Sequence, residues 1–360
     1  MNRIIAMLGA LALALSSLAG TALAEDAPKN FGGVTLRVAT FPATWIERIR
    51  SEVGTQLEAA GIKLEFVPGT SAEFLAKLVA ARGQPAPFDV VEIADETYPD
   101  FRAGDFLKKL DLSQIPNTAL LDPSLFDEYH VGNWLSEPCI VYNVDKFVAA
   151  GVPAPKRFSD LADPRLAGRV LVADISVYIA YYEITALAYE NGGSEADPTP
   201  GFAALKRIAP QSATNSAATA AQLFGSGEVW AAIWPAHLAQ RLAHDGLNVS
   251  TVHPVIKGKH VAIARGYVGI VSDSQLQDAG EYYVNAILAQ HVQQRFHTES
   301  GLTPVNRDVQ RTAAAAAAKD RTGAPFSLLA PEDIADAWWP DYKLINKRDW
   351  AKQFQRALAN

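Results

Sequence analysis

Residues 34–40 read VTLRVAT, residues 63–67 read KLEFV, and residues 88–93 read FDVVEI. Each run is short and rich in β-branched and apolar residues, which is typical of a buried strand. Between these runs, residues 44–60 and 71–81 place apolar side chains at helical spacing. The resulting β-α-β-α-β order predicts a parallel sheet with right-handed helical crossovers.

A second block with the same alternation follows. Residues 169–173 and 228–234 predict strands, and residues 179–190 and 236–243 predict helices. The run GYVGIV at 266–271 is predicted as a strand that returns to the first sheet. Two α/β blocks joined by more than one crossing predict two lobes with a groove between them. In open parallel sheets, ligands lie outside the carboxyl ends of the strands.

Polar and aromatic side chains are found at these predicted strand ends. The candidate ligand-binding residues are Thr44, Trp45, Asp95, Asp174, Ser176, Tyr178, Trp234, His237, Arg265 and Tyr267. Aromatic rings offer apolar walls and a face that attracts an ammonium group. Carboxylates pair with amines, and an arginine grips a carboxylate with two parallel hydrogen bonds. This mixture predicts a small polar ligand that carries an amine, an acid or both.

Several of these candidates also have a purely structural interpretation. Trp45 has an inward helical spacing and Trp234 ends an apolar strand, so both are equally suited to a core. Asp95 and Asp174 are placed to cap the helices that follow them. Arg265 is equally suited to an internal salt bridge. The sequence leaves these alternatives open.

The N-terminus has the pattern of a secretory signal. Arg3 precedes an apolar run over residues 4–15, and Ala22-Leu23-Ala24 fits the small-x-small rule for signal peptidase. The apolar run is shorter than the ~20 residues that a membrane span needs. We therefore expect residues 1–24 to be removed and the mature protein to be soluble in the periplasm. No cysteine lies near the cleavage point to carry a lipid anchor.

Composition narrows the function classes. The 360 residues suit two lobes, and the formal net charge of −7 argues against a nucleic-acid partner, which needs a basic face. The lone cysteine, Cys139, is expected to be buried and inert. Glycine-rich phosphate loops, the zinc-protease motif and the nucleophile elbow are absent from the sequence. We expect no cofactor, no metal and no catalysis; a periplasmic hydrolase is the alternative.

Ordered segments along the chain carry a family resemblance. They are residues 88–91 (FDVV), 141–143 (VYN), 158–161 (FSDL), 168–170 (GRV), 225–234 (GSGEVWAAIW) and 301–306 (GLTPVN). In their order and spacing, the chain resembles the extracellular solute-binding proteins of ABC importers, closest to the spermidine/putrescine-binding type. The resemblance covers nearly the whole mature chain.

The resemblance implies a two-lobe periplasmic-binding-protein fold of the type II kind. Each lobe would be a mostly parallel sheet flanked by helices, with a hinge between the lobes. We expect lobe 1 to hold residues 25–140 and about 266–304, and lobe 2 to hold 141–265 with the C-terminal helices of about 305–360. The protein would act as a monomer that delivers its solute to an inner-membrane ABC permease. A sensory binding module would share these features.

The resemblance also bears on the ligand. Polyamine binders typically set an acidic residue shortly after an aromatic one where this chain has Ala264-Arg265-Gly266-Tyr267. An arginine there would repel a diamine and attract a carboxylate or phosphonate. We therefore expect a zwitterionic amino-acid-like solute, with a polyamine as the alternative. Ferric-ion binders of this superfamily use paired tyrosines after the hinge, and the pair Tyr181-Tyr182 lies too early for that role.

Overall fold

The computed structural model describes residues 29–41, 44–315 and 330–359. The predicted signal segment, residues 1–24, lies outside the described residues. The strands are β1 Val34–Thr40, β2 Ile62–Pro68, β3 Val90–Ala94, β4 Val131–Ser136, β5 Pro138–Asn143, β6 Val170–Ala173, β7 Ser212–Thr214, β8 Ala231–Pro235, β9 Val249–Val252, β10 Val261–Ala262, β11 Ala264–Ile270 and β12 Ala337–Trp338. The helices are α1 Thr44–Ala59, α2 Ser71–Ala80, α3 Tyr98–Ala103, α4 Val144–Ala149, α5 Tyr178–Glu190, α6 Thr199–Ile208, α7 Ala217–Ser226, α8 His237–His244, α9 Gln277–Ile287, α10 Gln290–Ser300, α11 Arg307–Ala315 and α12 Lys347–Leu358. Short 3₁₀ turns occupy parts of the connections.

Within the described residues, the first lobe is built on a sheet with the order β2-β1-β3-β11-β4. β1 pairs in parallel with β2 and with β3, and β11 pairs antiparallel with β3 and with β4. β11 is the returning strand that residues 266–271 predicted. The α/β class and the parallel start of the chain are confirmed.

The second lobe is built on a sheet with the order β7-β6-β8-β5-β9, again counted over the described residues. β6 pairs in parallel with β7 and with β8, whereas β5 runs antiparallel to β8 and to β9. In each sheet a single strand, β11 or β5, therefore runs against the other four. Both are strands that follow a crossing between the lobes.

The chain crosses between the sheets at more than one place. Glu137 alone separates β4 of the first sheet from β5 of the second. The return runs through β10, which pairs in parallel with β12 in a separate two-stranded ladder. Beyond β12, Tyr342 and Trp350 join the hydrophobic core of the second lobe. The strands around these crossings form the hinge region.

Each lobe has its own hydrophobic core. In the first, α1 turns Trp45, Ile49, Val53 and Leu57 inward at a spacing of four residues, against the sheet. In the second, helices α5 and α6 cover one sheet face, and α7 and α8 cover the other. No helix among the described residues has the length and apolar character needed to cross a membrane.

Candidate ligand-binding site

A groove between the lobes opens at the strand ends that the sheet order predicts. Its apolar part is a cavity of about 230 Å³. The lining residues of this part are Phe41, Trp45, Ala94, Trp134, Tyr178 and Leu302. Phe41 follows β1 and Ala94 ends β3, so two parallel strands deliver their carboxyl ends here.

Aromatic contacts join the two sides of this groove. The Trp134 ring on β4 lies 6.0 Å from the Phe41 ring and 5.9 Å from the Tyr178 ring, centroid to centroid. Tyr178 begins α5 of the second lobe, and its hydroxyl donates to Ser136 Oγ at 3.0 Å. Leu302 is placed by its neighbour Thr303, which exchanges two backbone hydrogen bonds with Leu135.

Trp45 is held in place by a hydrogen bond to a buried carboxyl group. Its indole Nε1 donates to Glu92 Oε2 at 2.6 Å, and its ring packs 4.8 Å from that of Phe296. Burial raises the pKa of Glu92 to about 7, against the opposing effect of hydrogen bonding from Trp45 and other neighbours. The tryptophan is therefore held as a fixed wall of the groove.

The groove continues from Leu302 into a polar part of about 650 Å³. Arg48 of α1 and Arg241 of α8 line it, together with His237, which begins α8. Burial, and secondarily the charge of Arg48, lowers the pKa of His237 to about 4, so this imidazole is neutral at neutral pH. Among the described residues that line the two parts, none is a carboxylate. The polar end therefore presents two guanidinium groups, of which that of Arg241 lies 4.0 Å from Asp245 Oδ2.

Three of the sequence-predicted residues lie in this groove: Trp45, Tyr178 and His237. Thr44 begins α1 beside them, but its side chain lies outside the described part. The candidate residues did not include Arg48, Trp134, Arg241 or Leu302. Arg48 had an available signal, because it lies three residues after Trp45 on the same helix and so shares its face.

Three other candidates do not line the groove. Trp234 is 2 % exposed and packs in the core of the second lobe, because β8 is central in its sheet and covered by α7 and α8. The carboxylate of Asp174 accepts from the backbone N–H of Ser176 at 2.9 Å, which shapes the turn before α5. Of the alternatives left open, the core interpretation describes Trp234, whereas Asp174 shapes a turn and does not cap α5, whose N-cap is Val177.

The remaining candidates lie on the other face of the first sheet. Arg265 and Tyr267 are two residues apart on β11, so their side chains point to the same face. Gly266, between them, faces the Trp134 ring on the groove side. The expectation that Arg265 and Tyr267 line the groove is therefore corrected: the strand alternation points them away from it.

Asp95 forms a buried junction at the hinge. Its carboxylate accepts from the Tyr342 hydroxyl at 2.9 Å and from the backbone N–H of Arg265 at 3.2 Å. The hydroxyl of Tyr182 lies 2.8 Å from the same carboxylate. Burial raises the pKa of Asp95, and the nearby Arg265 charge opposes that rise. The residue ties the first lobe to the second and to the C-terminal segment.

The tyrosine pair considered for iron is engaged in packing. Tyr182 contacts the Asp95 junction, and Tyr181 stacks on Trp350 at 5.9 Å. Within the described residues, no three His, Cys, Asp or Glu side chains are grouped so that they could hold a metal ion.

The family model of bacterial extracellular solute-binding proteins matches residues 56–323. The chain belongs to this family. The resemblance carried by the ordered sequence segments is thereby confirmed. None of the curated proteins matches this solute-binding protein in sequence.

Solved structures show the same fold. An ABC transporter protein from Clostridium perfringens is 19% identical, with a TM-score of 0.70, over 90% of this chain and 99% of that chain. The protein MotA from A. tumefaciens B6, solved with glucopine, is 19% identical, with a TM-score of 0.69, over 90% and 100%. A protein assigned to spermidine/putrescine ABC transport in Listeria monocytogenes is 15% identical, with a TM-score of 0.68, over 90% and 99%. This solute-binding protein therefore has the two-lobe fold of periplasmic binding proteins.

Proposed function

We propose that this protein is the solute-capturing component of an ABC importer. After removal of residues 1–24 it would act in the periplasm as a monomer. It would bind one small organic molecule in the groove between its lobes and present it to an inner-membrane permease. Family membership supports capture of a solute, and the paired lobes support a mechanism in which the ligand favours the closed form through contacts with both sides.

The ligand class is inferred from one feature of the groove: aromatic side chains line one part, and positively charged side chains line the other. Phe41, Trp45, Trp134 and Tyr178 offer flat apolar surfaces, and Arg48 lies at the far side of Leu302. A guanidinium binds a carboxylate with two parallel charge-assisted hydrogen bonds. The groove is thus suited to a solute with a carboxylate, or a similar anionic group, attached to an apolar or planar body.

The groove can also bind the amine expected on the ligand, although not through a salt bridge. The described lining residues include no carboxylate to pair with an ammonium. The faces of Trp134 and Tyr178 can attract an ammonium group through their π-systems. An amino-acid-like zwitterion therefore fits the groove better than a polyamine, whose several charges would all depend on such contacts.

The energetics are sufficient for ordinary transport affinity. A micromolar dissociation constant corresponds to about −8 kcal/mol. One bidentate charge-assisted contact and the burial of a planar group between aromatic walls can supply this after ordering costs. Covalent chemistry is not needed for capture and release.

The experiment is a thermal-shift screen followed by calorimetric titration of the hits. The panel holds aromatic and ω-amino acids, aromatic monocarboxylates, putrescine, spermidine and ferric ion. A ligand that binds only the folded state raises the melting temperature by mass action. We expect amino acids or monocarboxylates with an apolar body to give the largest shifts.

The variant Arg48→Gln tests the anionic group directly, and it should weaken the best ligand by at least about tenfold. Arg50→Gln is the matched control, because Arg50 lies on the same helix and stacks on Phe66 at 5.3 Å, outside the groove. Tightest binding of a polyamine, together with unchanged affinity in Arg48→Gln, would refute the proposed ligand class.

A further inference from the structure

A separate cavity of about 360 Å³ lies on the opposite face of β11 from the groove. We call it the hinge-side pocket, and its principal lining residues are Asp95, Tyr98, Arg265, Tyr267, Trp339 and Lys343. The first four belong to the sheet side of the first lobe. Trp339 and Lys343 belong to the C-terminal segment, whose Tyr342 packs in the core of the second lobe. The pocket therefore has one wall from each lobe.

Arg265 is the central charge of this pocket. Its side chain is only 15 % exposed, and its guanidinium carbon lies 4.1 Å from the Trp339 ring centroid and 5.7 Å from that of Tyr267. Its Nε is buried and has no hydrogen-bond partner among the described residues. A buried donor left unpaired is costly, so this guanidinium is prepared to meet an acceptor.

The nearest carboxylate does not fill that role. Asp95 Oδ2 lies 3.9 Å from Arg265 Nε, beyond hydrogen-bond distance. Its oxygens already accept from the Tyr342 hydroxyl and from the Arg265 backbone N–H, and they contact the Tyr182 hydroxyl. Asp95 therefore balances part of the Arg265 charge at a distance, without a hydrogen bond to Nε.

The rest of the lining adds one charge of each sign and three aromatic rings. Lys343 brings a second positive charge to the pocket. Asp341, which also lines it, accepts from the Lys343 backbone N–H at 3.1 Å and so stabilises the turn. The rings of Tyr98, Tyr267 and Trp339 supply flat walls, and the Arg265 guanidinium lies near the last two.

We infer that the hinge-side pocket binds a small organic carboxylate with a planar apolar body. The carboxylate would accept two parallel hydrogen bonds from Arg265, and the body would lie along the aromatic rings. This site is distinct from the groove, because the backbone of β11 separates them. It does not depend on the ligand class proposed for the groove.

The test uses benzoate as the probe and the tryptophan indole N–H signals of the ¹⁵N-labelled mature protein as reporters. Trp339→Phe, Trp45→Phe and Trp134→Phe assign the relevant signals. We expect benzoate to shift the Trp339 signal in a saturable way, and benzylammonium to leave it unchanged. Arg265→Gln should weaken the benzoate effect on Trp339 by at least about tenfold.

Arg169→Gln is the matched control, since Arg169 also stacks on a tryptophan, Trp230, at 5.1 Å but lies away from the pocket. This variant should leave the Trp339 titration unchanged. Benzoate bound in the groove is detected separately, by the Trp45 and Trp134 signals. Binding in the hinge-side pocket can therefore be measured whether or not the groove also binds benzoate. Lys343→Gln, a change at an exposed residue, should weaken benzoate binding about threefold. It replaces Arg265→Gln as the test variant if Arg265→Gln does not fold.

Three results would overturn the inference. The Trp339 signal could fail to respond at up to about 10 mM benzoate, where even a millimolar ligand is nearly saturating. The response could persist unweakened in both Arg265→Gln and Lys343→Gln. Benzylammonium could shift Trp339 as strongly as benzoate does.

Discussion

The indole ring of Trp134 lies directly against the backbone of Gly266, where a β-carbon would come within 1.9 Å of the ring carbon Cε2. The two residues are register partners on β4 and β11. Gly266 therefore leaves the space in which Trp134 forms a wall of the groove. Any side chain at position 266 must displace the ring, because a contact this short is not tolerated.

The first prediction concerns Gly266→Ala. The new methyl group should push Trp134 out of its place, lower the stability by about 1–3 kcal/mol, and weaken the tightest groove ligand by at least about tenfold. Urea unfolding measures the first effect, and calorimetric titration measures the second.

The matched control for this change is Gly225→Ala. Gly225 lies within α7, and no atom comes within 4 Å of a β-carbon built there. Alanine should raise the stability by about 0.5–1 kcal/mol through its better helix propensity. If Gly266→Ala binds and unfolds like the native protein, Trp134 does not depend on the missing side chain.

The second prediction concerns Gly301, where the two lobes touch. This residue ends α10 with a φ of +70°, and a β-carbon there would lie 2.6 Å from Gln240 Oε1 and 2.7 Å from His237 Cβ. Both contacts belong to α8 of the second lobe. Gly301→Ala should therefore force the lobes apart, in addition to the cost of about 1 kcal/mol for a left-handed alanine.

Small-angle scattering of the unliganded protein checks this separation as an increase in the radius of gyration. Gly83→Ala is the control, because Gly83 has a φ of +80° but no atom within 4 Å of its β-carbon. It should lose similar stability from backbone strain alone, with an unchanged radius. Equal radii for the two variants would show that the Gly301 contact does not limit the approach of the lobes.

The strands and helices of residues 34–93 were predicted well because each is marked by its own uninterrupted pattern of apolar residues. Residues 34–93 alternate apolar strands with helices that carry a clear four-residue period, and the structure confirms this order. By contrast, β4 (VGNWLS) was not predicted, since glycine and asparagine interrupt its apolar pattern. Because β4 was not predicted, Trp134 could not be assigned to the groove-facing side of a strand.

The errors at the site have a different physical origin. The strand-end rule gives the edge of the sheet where ligands bind, but not the face to which each side chain points. On β11 that choice depends on the pairing of Gly266 with Ala94 and with Trp134. A shift of one residue would have turned Arg265 into the groove. Such register is set by long-range pairing, which a local pattern does not contain.

The third prediction concerns the Asp95 junction. The Tyr342 hydroxyl donates to Asp95 Oδ1 at 2.9 Å and connects the C-terminal segment to the first lobe. Tyr342→Phe leaves one oxygen of a buried carboxyl group with one fewer donor, so it should destabilise the protein by about 1–3 kcal/mol in urea unfolding.

Tyr181→Phe is the control for the loss of a tyrosine hydroxyl in the same region. Its ring lies 6.1 Å from that of Tyr342, and its hydroxyl has no hydrogen bond to any described residue. We expect a change within about 0.5 kcal/mol. If the two variants lose the same stability, the hydrogen bond from Tyr342 to Asp95 does not stabilise the protein as proposed.

The fourth prediction concerns the carboxyl group that anchors Trp45. Burial raises the pKa of Glu92 from 4.5 to about 7, so the folded protein holds this proton more tightly than the unfolded chain does. The contribution of Glu92 to stability is therefore fully present below pH 4.5, declines as the pH rises, and reaches its low plateau above about pH 7. Glutamine carries no titrating proton but keeps an acceptor for the Trp45 N–H.

Glu92→Gln should therefore gain stability relative to the native protein as the pH rises from 5 to 8. Each pKa unit is worth about 1.4 kcal/mol, so the gain between these limits is at most about 3 kcal/mol. Urea unfolding at unit pH intervals measures it. The control Gln56→Ala, at an exposed position on α1, removes no ionisable group and should differ from the native protein by a constant amount. If the Glu92→Gln difference is equally constant with pH, then Glu92 does not titrate in this range, and Trp45 rests on an ionised carboxylate throughout.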